Sequence, residues 1–246
     1  IGGWMSRDTI GRFADYAAEV ARRFGSRAAS IATHNEPWVI AILGHQAGTF
    51  APGLKSQKAA MQVSHHLLLS HGIALRALRG QSCAAPLGIV LNQGPTHAVT
   101  DSAADLAKAR LDDGLTIRWY MDALLRGSYP EDVLAFLGED APQVAPGDMA
   151  TIRQPLDFLG INYYTRNLSG TGAPLGPVES GLRGNEKPDT YSEQCTTSRP
   201  AVPLPRARAA PARRPDWRPA PGWRREGPPR RSKLRLFSFL ASLSVA

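Results

Sequence analysis

Two cysteines, Cys83 and Cys195, are all that 246 residues contain, and they lie far apart. That excludes a disulfide scaffold and a cysteine-ligated zinc site. No apolar run approaches the roughly 20 residues that a membrane-spanning helix needs. Charged residues make up 20% and apolar residues 43%, which excludes a wholly disordered chain and a coiled coil. Acidic residues are outnumbered, 21 against 29 basic, but the imbalance is local. Residues 199–235 hold 11 Arg and one Lys against Asp216 and Glu226, a net of +10. The other 209 residues hold 29 − 12 = 17 basic and 21 − 2 = 19 acidic groups, a net of −2.

The basic segment lacks any helical or strand period and holds nine of the 20 prolines. Proline removes a backbone donor and fixes φ, so this stretch builds neither a ladder nor a long helix. Residues 199–246 are therefore expected to form a disordered Pro/Arg-rich tail, ending in the short apolar stretch LFSFLASLSVA. Residues 170–198 are rich in Gly, Ser, Thr and Pro and read as a linker. Trp217 and Trp223 among the arginines raise binding of nucleic acid or an anionic surface as the alternative function. Arginines interrupted by prolines form no continuous surface, so the expectation is a solvated tail with neither nucleic acid nor membrane as partner.

Residues 1–169 alternate between apolar runs and helical patterns. Ile10, Phe13, Ala17, Val20 and Phe24 recur at three- and four-residue steps and predict a helix, with Ser6 or Asp8 as its cap. A weakly apolar extended run follows over Arg27–Thr33. A second helix is predicted from about Ser56 to Gly80, with Leu67, Leu68, His71, Leu75 and Leu78 on one side. Pro86–Asn92 reads as a buried strand, Ser102–Arg126 as a third helical region and Asp157–Tyr164 as a third strand. Strands alternating with long helices predict βα units and a parallel sheet, and continuous apolar strands suit a sheet buried on both faces. Polar residues gather where these strands end: Thr33-His34-Asn35-Glu36-Pro37, Asn92-Gln93 and Asn162-Tyr163-Tyr164-Thr165. In α/β barrels and open α/β sheets that rim is where ligands bind.

Glu36 is the first candidate for chemistry. It lies at a strand end close to Trp38, and a carboxyl group beside aromatic and apolar groups holds its proton more tightly, which suits a general acid. On position alone the competing reading is a solvent-exposed loop glutamate. Other conspicuous residues read as structural. His65 and His66 are sequence neighbours and point to different sides of a helix, so they make no metal site. His71 and Trp119 belong to the core, and Cys83 has no histidine partner to make it a nucleophile.

Thr33-His34-Asn35-Glu36-Pro37-Trp38 resembles the acid/base motif of glycoside hydrolase family 1, the β-glucosidase family. The match does not stand alone. GGWMSRDTIGRFADYA, Phe50-Ala51-Pro52-Gly53-Leu54, HHLLLSHGIALRALR, Leu87–Asn92, Arg118–Asp122 with Gly127–Pro130, and DFLGINYYTRN resemble further family segments in the same order. Phe50 stands where the family has His. The resemblance covers roughly residues 1–170. It implies an α/β fold, part of a TIM (β/α)₈ barrel with about three βα units. It also implies hydrolysis of β-O-glycosidic bonds with retention, through two carboxyl groups about 5–5.5 Å apart. By the resemblance Glu36 is the acid/base, Asn35 binds the sugar 2-hydroxyl, Asn162 lines the sugar pocket and Tyr164 hydrogen-bonds the nucleophile. The partner is a β-glucoside or related small oligosaccharide, with no cofactor and no metal, and the family implies a cytoplasmic location.

The departures matter equally. The family pattern places three strands ahead of Ile1 and a Thr-Glu-Asn-Gly strand end, carrying the nucleophile, after Tyr164. No such motif occurs in the sequence, and Glu179, Glu186 and Glu193 are not in apolar runs followed by Asn-Gly. The expectation is a barrel fragment with open sheet edges, inactive as it stands because the nucleophile is absent. Arg/Pro/Ala-rich text is also what an out-of-frame reading of GC-rich DNA gives, so the tail is expected to be a frameshift product. A Thr-Glu-Asn-Gly-like segment in another frame of the coding nucleotides checks this.

Overall fold

The structure is a computed structural model that describes residues 2–81 and 83–177, with side chains up to residue 172. A short 3-10 turn (Gly3–Met5) leads into α1 (Asp8–Phe24). The cap differs from expectation: Arg7 is the N-cap and its side chain makes no capping hydrogen bond, while the Ser6 hydroxyl accepts from the Asp8 amide at 3.3 Å. Strand β1 (Ile31–Asn35) follows, then a π-helical stretch (Val39–Gln46) and α2 (Gln57–Gly80). Ser56 caps α2 by accepting from the Ala59 amide at 3.2 Å, the geometry that satisfies one of the free amides of a first helical turn.

Strand β2 (Leu87–Asn92) comes next, then β3 (Thr96–Ala98), α3 (Ala103–Asp113), a π-helical turn (Gly114–Arg118) and α4 (Trp119–Leu125). Ser102 caps α3 through the Asp105 amide, so the third helical region begins where expected but is broken into three pieces. Short helices α5 (Glu131–Leu137) and α6 (Asp148–Ile152) precede β4 (Phe158–Asn162), β5 (Asn167–Gly170) and β6 (Ala173–Pro177). The segment read as a linker from residue 170 thus opens with strand β6, paired antiparallel to β5. The remainder of that segment and the basic tail lie outside the described residues.

Strands β1, β2 and β4 form a parallel sheet in that order. Asp157, just ahead of β4, ties down the start of β2 by accepting from the Leu87 amide at 2.8 Å. β2 is buried in the middle, with Leu87, Ile89 and Leu91 at 1% exposure or less. β4 is not covered on both faces as its apolar text predicts: Ile161 is 57% exposed. It is an edge strand among the described residues. A second sheet, β3-β5-β6, grows from the connections that follow β2 and β4.

Helix α2 is the central pillar. Its apolar residues feed all three core clusters: Leu68 packs with Ile89, Trp119, Tyr120 and Ile152, Leu75 and Leu78 with Ala17, Ala21 and Leu87, and Val63 and Leu67 with Ala41. Burying each such leucine contributes about 1.5–3 kcal/mol. Gly72 lets α2 approach α6, since a Cβ there would lie 2.0 Å from the Thr151 carbonyl oxygen. Five polar residues of α2, Ser64, His65, His66, Ser70 and His71, are also buried. Each makes a hydrogen bond, as buried polar groups must.

Candidate active site

The three parallel strands end on one rim, and the residues singled out there come together. Asn35 is the last residue of β1, and Glu36 follows with a φ of 51°, in the left-handed region that a residue with a Cβ rarely adopts. The turn is held from the backbone: the Glu36 amide donates to the Val90 carbonyl at 2.8 Å. Across the sheet, the Asn162 amide donates to Asn35 Oδ1 at 3.0 Å and to Glu36 Oε1 at 2.7 Å. The Tyr164 hydroxyl donates to the same Glu36 oxygen at 2.9 Å. At β2, the Gln93 amide donates to the Asn162 carbonyl at 2.9 Å. A half-buried carboxylate therefore stands at the rim with two donors on one oxygen, within a constellation drawn from the ends of β1 and β4.

One expectation changes here. Glu36 is met by polar donors rather than by apolar and aromatic surroundings, while Trp38 packs against the main core. Tyr164, implied by the resemblance to serve a nucleophile, also donates to Glu36. No second carboxylate joins this constellation among the described residues. Glu179, Glu186 and Glu193 fall outside the described residues.

The other conspicuous residues have structural partners. His65 Nε2 lies 3.0 Å from Asp148 Oδ2 and its Nδ1 lies 2.9 Å from the Tyr129 hydroxyl. His66 Nδ1 faces the Trp4 carbonyl at 2.8 Å. Trp119 is fully buried and stacks on Tyr129 with ring centroids 3.9 Å apart. The Cys83 thiol is half-buried and its nearest acceptor is the Gly25 carbonyl at 3.9 Å. Among the described residues no group of His, Cys, Asp and Glu is arranged to hold a metal ion. No helix among them is long and apolar enough to cross a membrane.

Sequence reasoning passed over the polar layer beneath the rim. Thr33 and His34 are buried at 1% and 4% exposure and bond to His71 and Ser70 of α2. The available signal was the pair Ser70-His71, two polar residues inside an otherwise leucine-rich face.

A carboxylate and two side-chain amides stand at the C-terminal ends of parallel strands, the rim at which α/β barrels carry their sites, and comparison with known proteins shows which barrel family this is. The family model for glycosyl hydrolase family 1 matches residues 1–204, and the chain belongs to that family. Beta-glucosidase A of Acetivibrio thermocellus is 35% identical over 194 residues, which are 76% of this chain and 43% of that protein. The β-glucosidase of an Agrobacterium species is 38% identical over 77% of this chain and 39% of its own length. The solved family 1 β-glucosidase of Thermotoga maritima superposes with a TM-score of 0.67 at 34% identity, over 72% of this chain and 41% of that one. The described fold is thus part of a TIM barrel, and the chain spans about 40% of the length of these relatives. The family match runs past residue 169, where composition had placed the end of the barrel part.

Proposed function

We propose that this chain supplies the acid/base part of a retaining β-glucosidase site, acting on a β-glucoside or a related small oligosaccharide. The observation that carries it is Glu36 at a barrel-strand end with its Oε1 fixed by Asn162 and Tyr164. With Oε1 accepting two hydrogen bonds, Oε2 is the oxygen that carries the transferable proton. As the glycosidic C–O bond breaks, Glu36 gives this proton to the leaving oxygen. As water later attacks the anomeric carbon, Glu36 takes a proton back. Asn35 accepts from Asn162 through Oδ1, which leaves its amide nitrogen to donate to the sugar 2-hydroxyl. That contact strengthens as the ring gains oxocarbenium character. The Thermotoga maritima relative is described in complex with glucoimidazole, a glucose-shaped molecule, which supports the substrate class.

The double displacement needs a second carboxylate, and no Thr-Glu-Asn-Gly-like segment occurs in this sequence. The chain on its own is therefore expected to show no hydrolysis of an aryl β-glucoside above the rate of buffer, followed spectrophotometrically with Glu36→Gln beside it. Turnover by the unaltered chain that Glu36→Gln abolishes would show that the second carboxylate is present after all.

A further inference from the structure

We infer that Thr33–His71 and His34–Ser70 are a pair of buried tethers that set the register of β1, and so position Glu36. The inference rests on the reading of Glu36 as the acid/base. The ladder between β1 and β2 is irregular just below the site. Ala32 pairs with Gly88, but Asn35 pairs with Val90, so three steps along β1 match two along β2. One residue is extra, which is a β-bulge. Thr33 and His34 occupy it, and both turn to α2 instead of alternating between faces.

The tethers are short and dry. Thr33 Oγ1 lies 2.6 Å from His71 Nδ1 and also reaches the Gly88 carbonyl at 3.4 Å. The Ser70 hydroxyl donates to the Leu67 carbonyl at 2.8 Å, so it accepts from His34 Nε2–H at 2.8 Å, which fixes the tautomer of that ring. Phe13 stacks on His34 with centroids 4.6 Å apart. All four residues are at 4% exposure or less. Burial holds both imidazoles neutral, bringing His34 down to about 3 and His71, with smaller contributions from His34 and Arg79, also to about 3. The tethers therefore do not titrate across the working range of a glycosidase. They also come at a cost: His71 Nε2 is buried with no partner among the described residues, and such a group costs about 1–3 kcal/mol. A leucine would fill that space without the cost, so packing alone does not account for a histidine here.

The consequence for the site is geometric. Without the bulge, Asn35 would pair with Leu91 rather than Val90. A one-residue slip moves the chain by roughly 3.3 Å and reverses which face each side chain occupies. Asn35 and Glu36 would then no longer present themselves to Asn162, whose bonds to them are 3.0 and 2.7 Å long. The Glu36 amide takes up the Val90 carbonyl just past the tethered pair.

Amide hydrogen exchange on the full chain tests this without requiring turnover. The Glu36 amide bonds to Val90 beyond the bulge, and the Ile31 amide bonds to Pro86 before it. In Thr33→Val the Glu36 amide is expected to exchange about tenfold faster while Ile31 changes less than about twofold, a local opening rather than global unfolding. Ser70→Ala, which removes the acceptor of His34, is expected to act in the same direction, and Thr33→Ser to restore the original rate. Unchanged Glu36 exchange in both variants, or equal acceleration at Ile31 and Glu36, overturns the positioning role. If Thr33→Val does not fold, Ser70→Ala and Thr33→Ser decide. The reading of Glu36 as acid/base fails separately: inhibitor binding untouched by Glu36→Gln, with the exchange pattern intact, sinks that reading and leaves the tethers standing.

Discussion

Replacing Asp148 by alanine is expected to destabilise the chain by about 3 kcal/mol, the low end of what breaking a buried charged pair costs. Asp148 is 5% exposed and accepts from three elements: Arg7 at the head of α1, His65 in α2 and the Ala145 amide. A carboxylate only accepts, so His65 Nε2 carries the hydrogen and its Nδ1 accepts from Tyr129. Alanine leaves the His65 N–H and the Ala145 amide without an acceptor. Arg7 contributes less, because its side chain is 49% exposed and rehydrates. Burial opposes ionisation of Asp148, but the bonds from Arg7, His65 and Ala145 outweigh it and bring the carboxyl down to about 2. A depressed acid contributes stability that is fully present above its unfolded value near 4 and is lost as pH falls through about 2. That part amounts to about 2 kcal/mol, so urea midpoints of the native chain and of Asp148→Asn should converge between pH 4 and 2. Parallel curves would place the pH dependence elsewhere.

Trp119→Ala is expected to cost about 3–5 kcal/mol and to lower the thermal midpoint by roughly 10 °C. The indole is fully buried in the main core, stacked on Tyr129 at an interplanar angle of 13°. Its Nε1 donates to the Ser64 hydroxyl at 2.8 Å, and Ser64 donates in turn to the Tyr120 hydroxyl at 3.0 Å. Truncation removes the ring contacts, opens a cavity between α2 and α4, and takes away a donor that Ser64 now uses. Phenylalanine keeps much of the volume and loses the N–H, so Trp119→Phe should lie well inside that loss. Equal losses in both variants would assign the effect to the hydrogen bond rather than to the packing.

These two residues bear on the site because α2 carries it. Asp148 and Trp119 grip α2 from α6 and α4, and α2 grips β1 through Ser70 and His71. The parts visible in sequence were those governed by local periodicity and capping. The limits of α2 followed from Ser56 and the leucine repeat, β2 from an unbroken apolar run, and the rim from the polar residues that end each strand. What was hidden depends on long-range pairing. The bulge at Thr33-His34 exists only because β2 and α2 lie beside it. β6 has the composition of a loop, and its ladder with β5 is the only reason it is extended. The turn of Tyr164 toward Glu36 follows from two side chains 128 positions apart and from no motif. The exposure of Ile161 likewise reflects the edge position of β4 among the described residues, which apolar text cannot reveal.

The most direct test of the central claim is calorimetric titration of the chain with a glucose-shaped imidazole inhibitor, whose ring nitrogen takes the place of the leaving oxygen. A charge-assisted hydrogen bond from Glu36 to that nitrogen contributes about 1.5–3 kcal/mol, so Glu36→Gln is predicted to weaken binding at least tenfold. Thr33→Ser, outside the constellation, should bind as the unaltered chain does. Equal binding by the unaltered chain and Glu36→Gln would contradict the assignment of Glu36 as the acid/base.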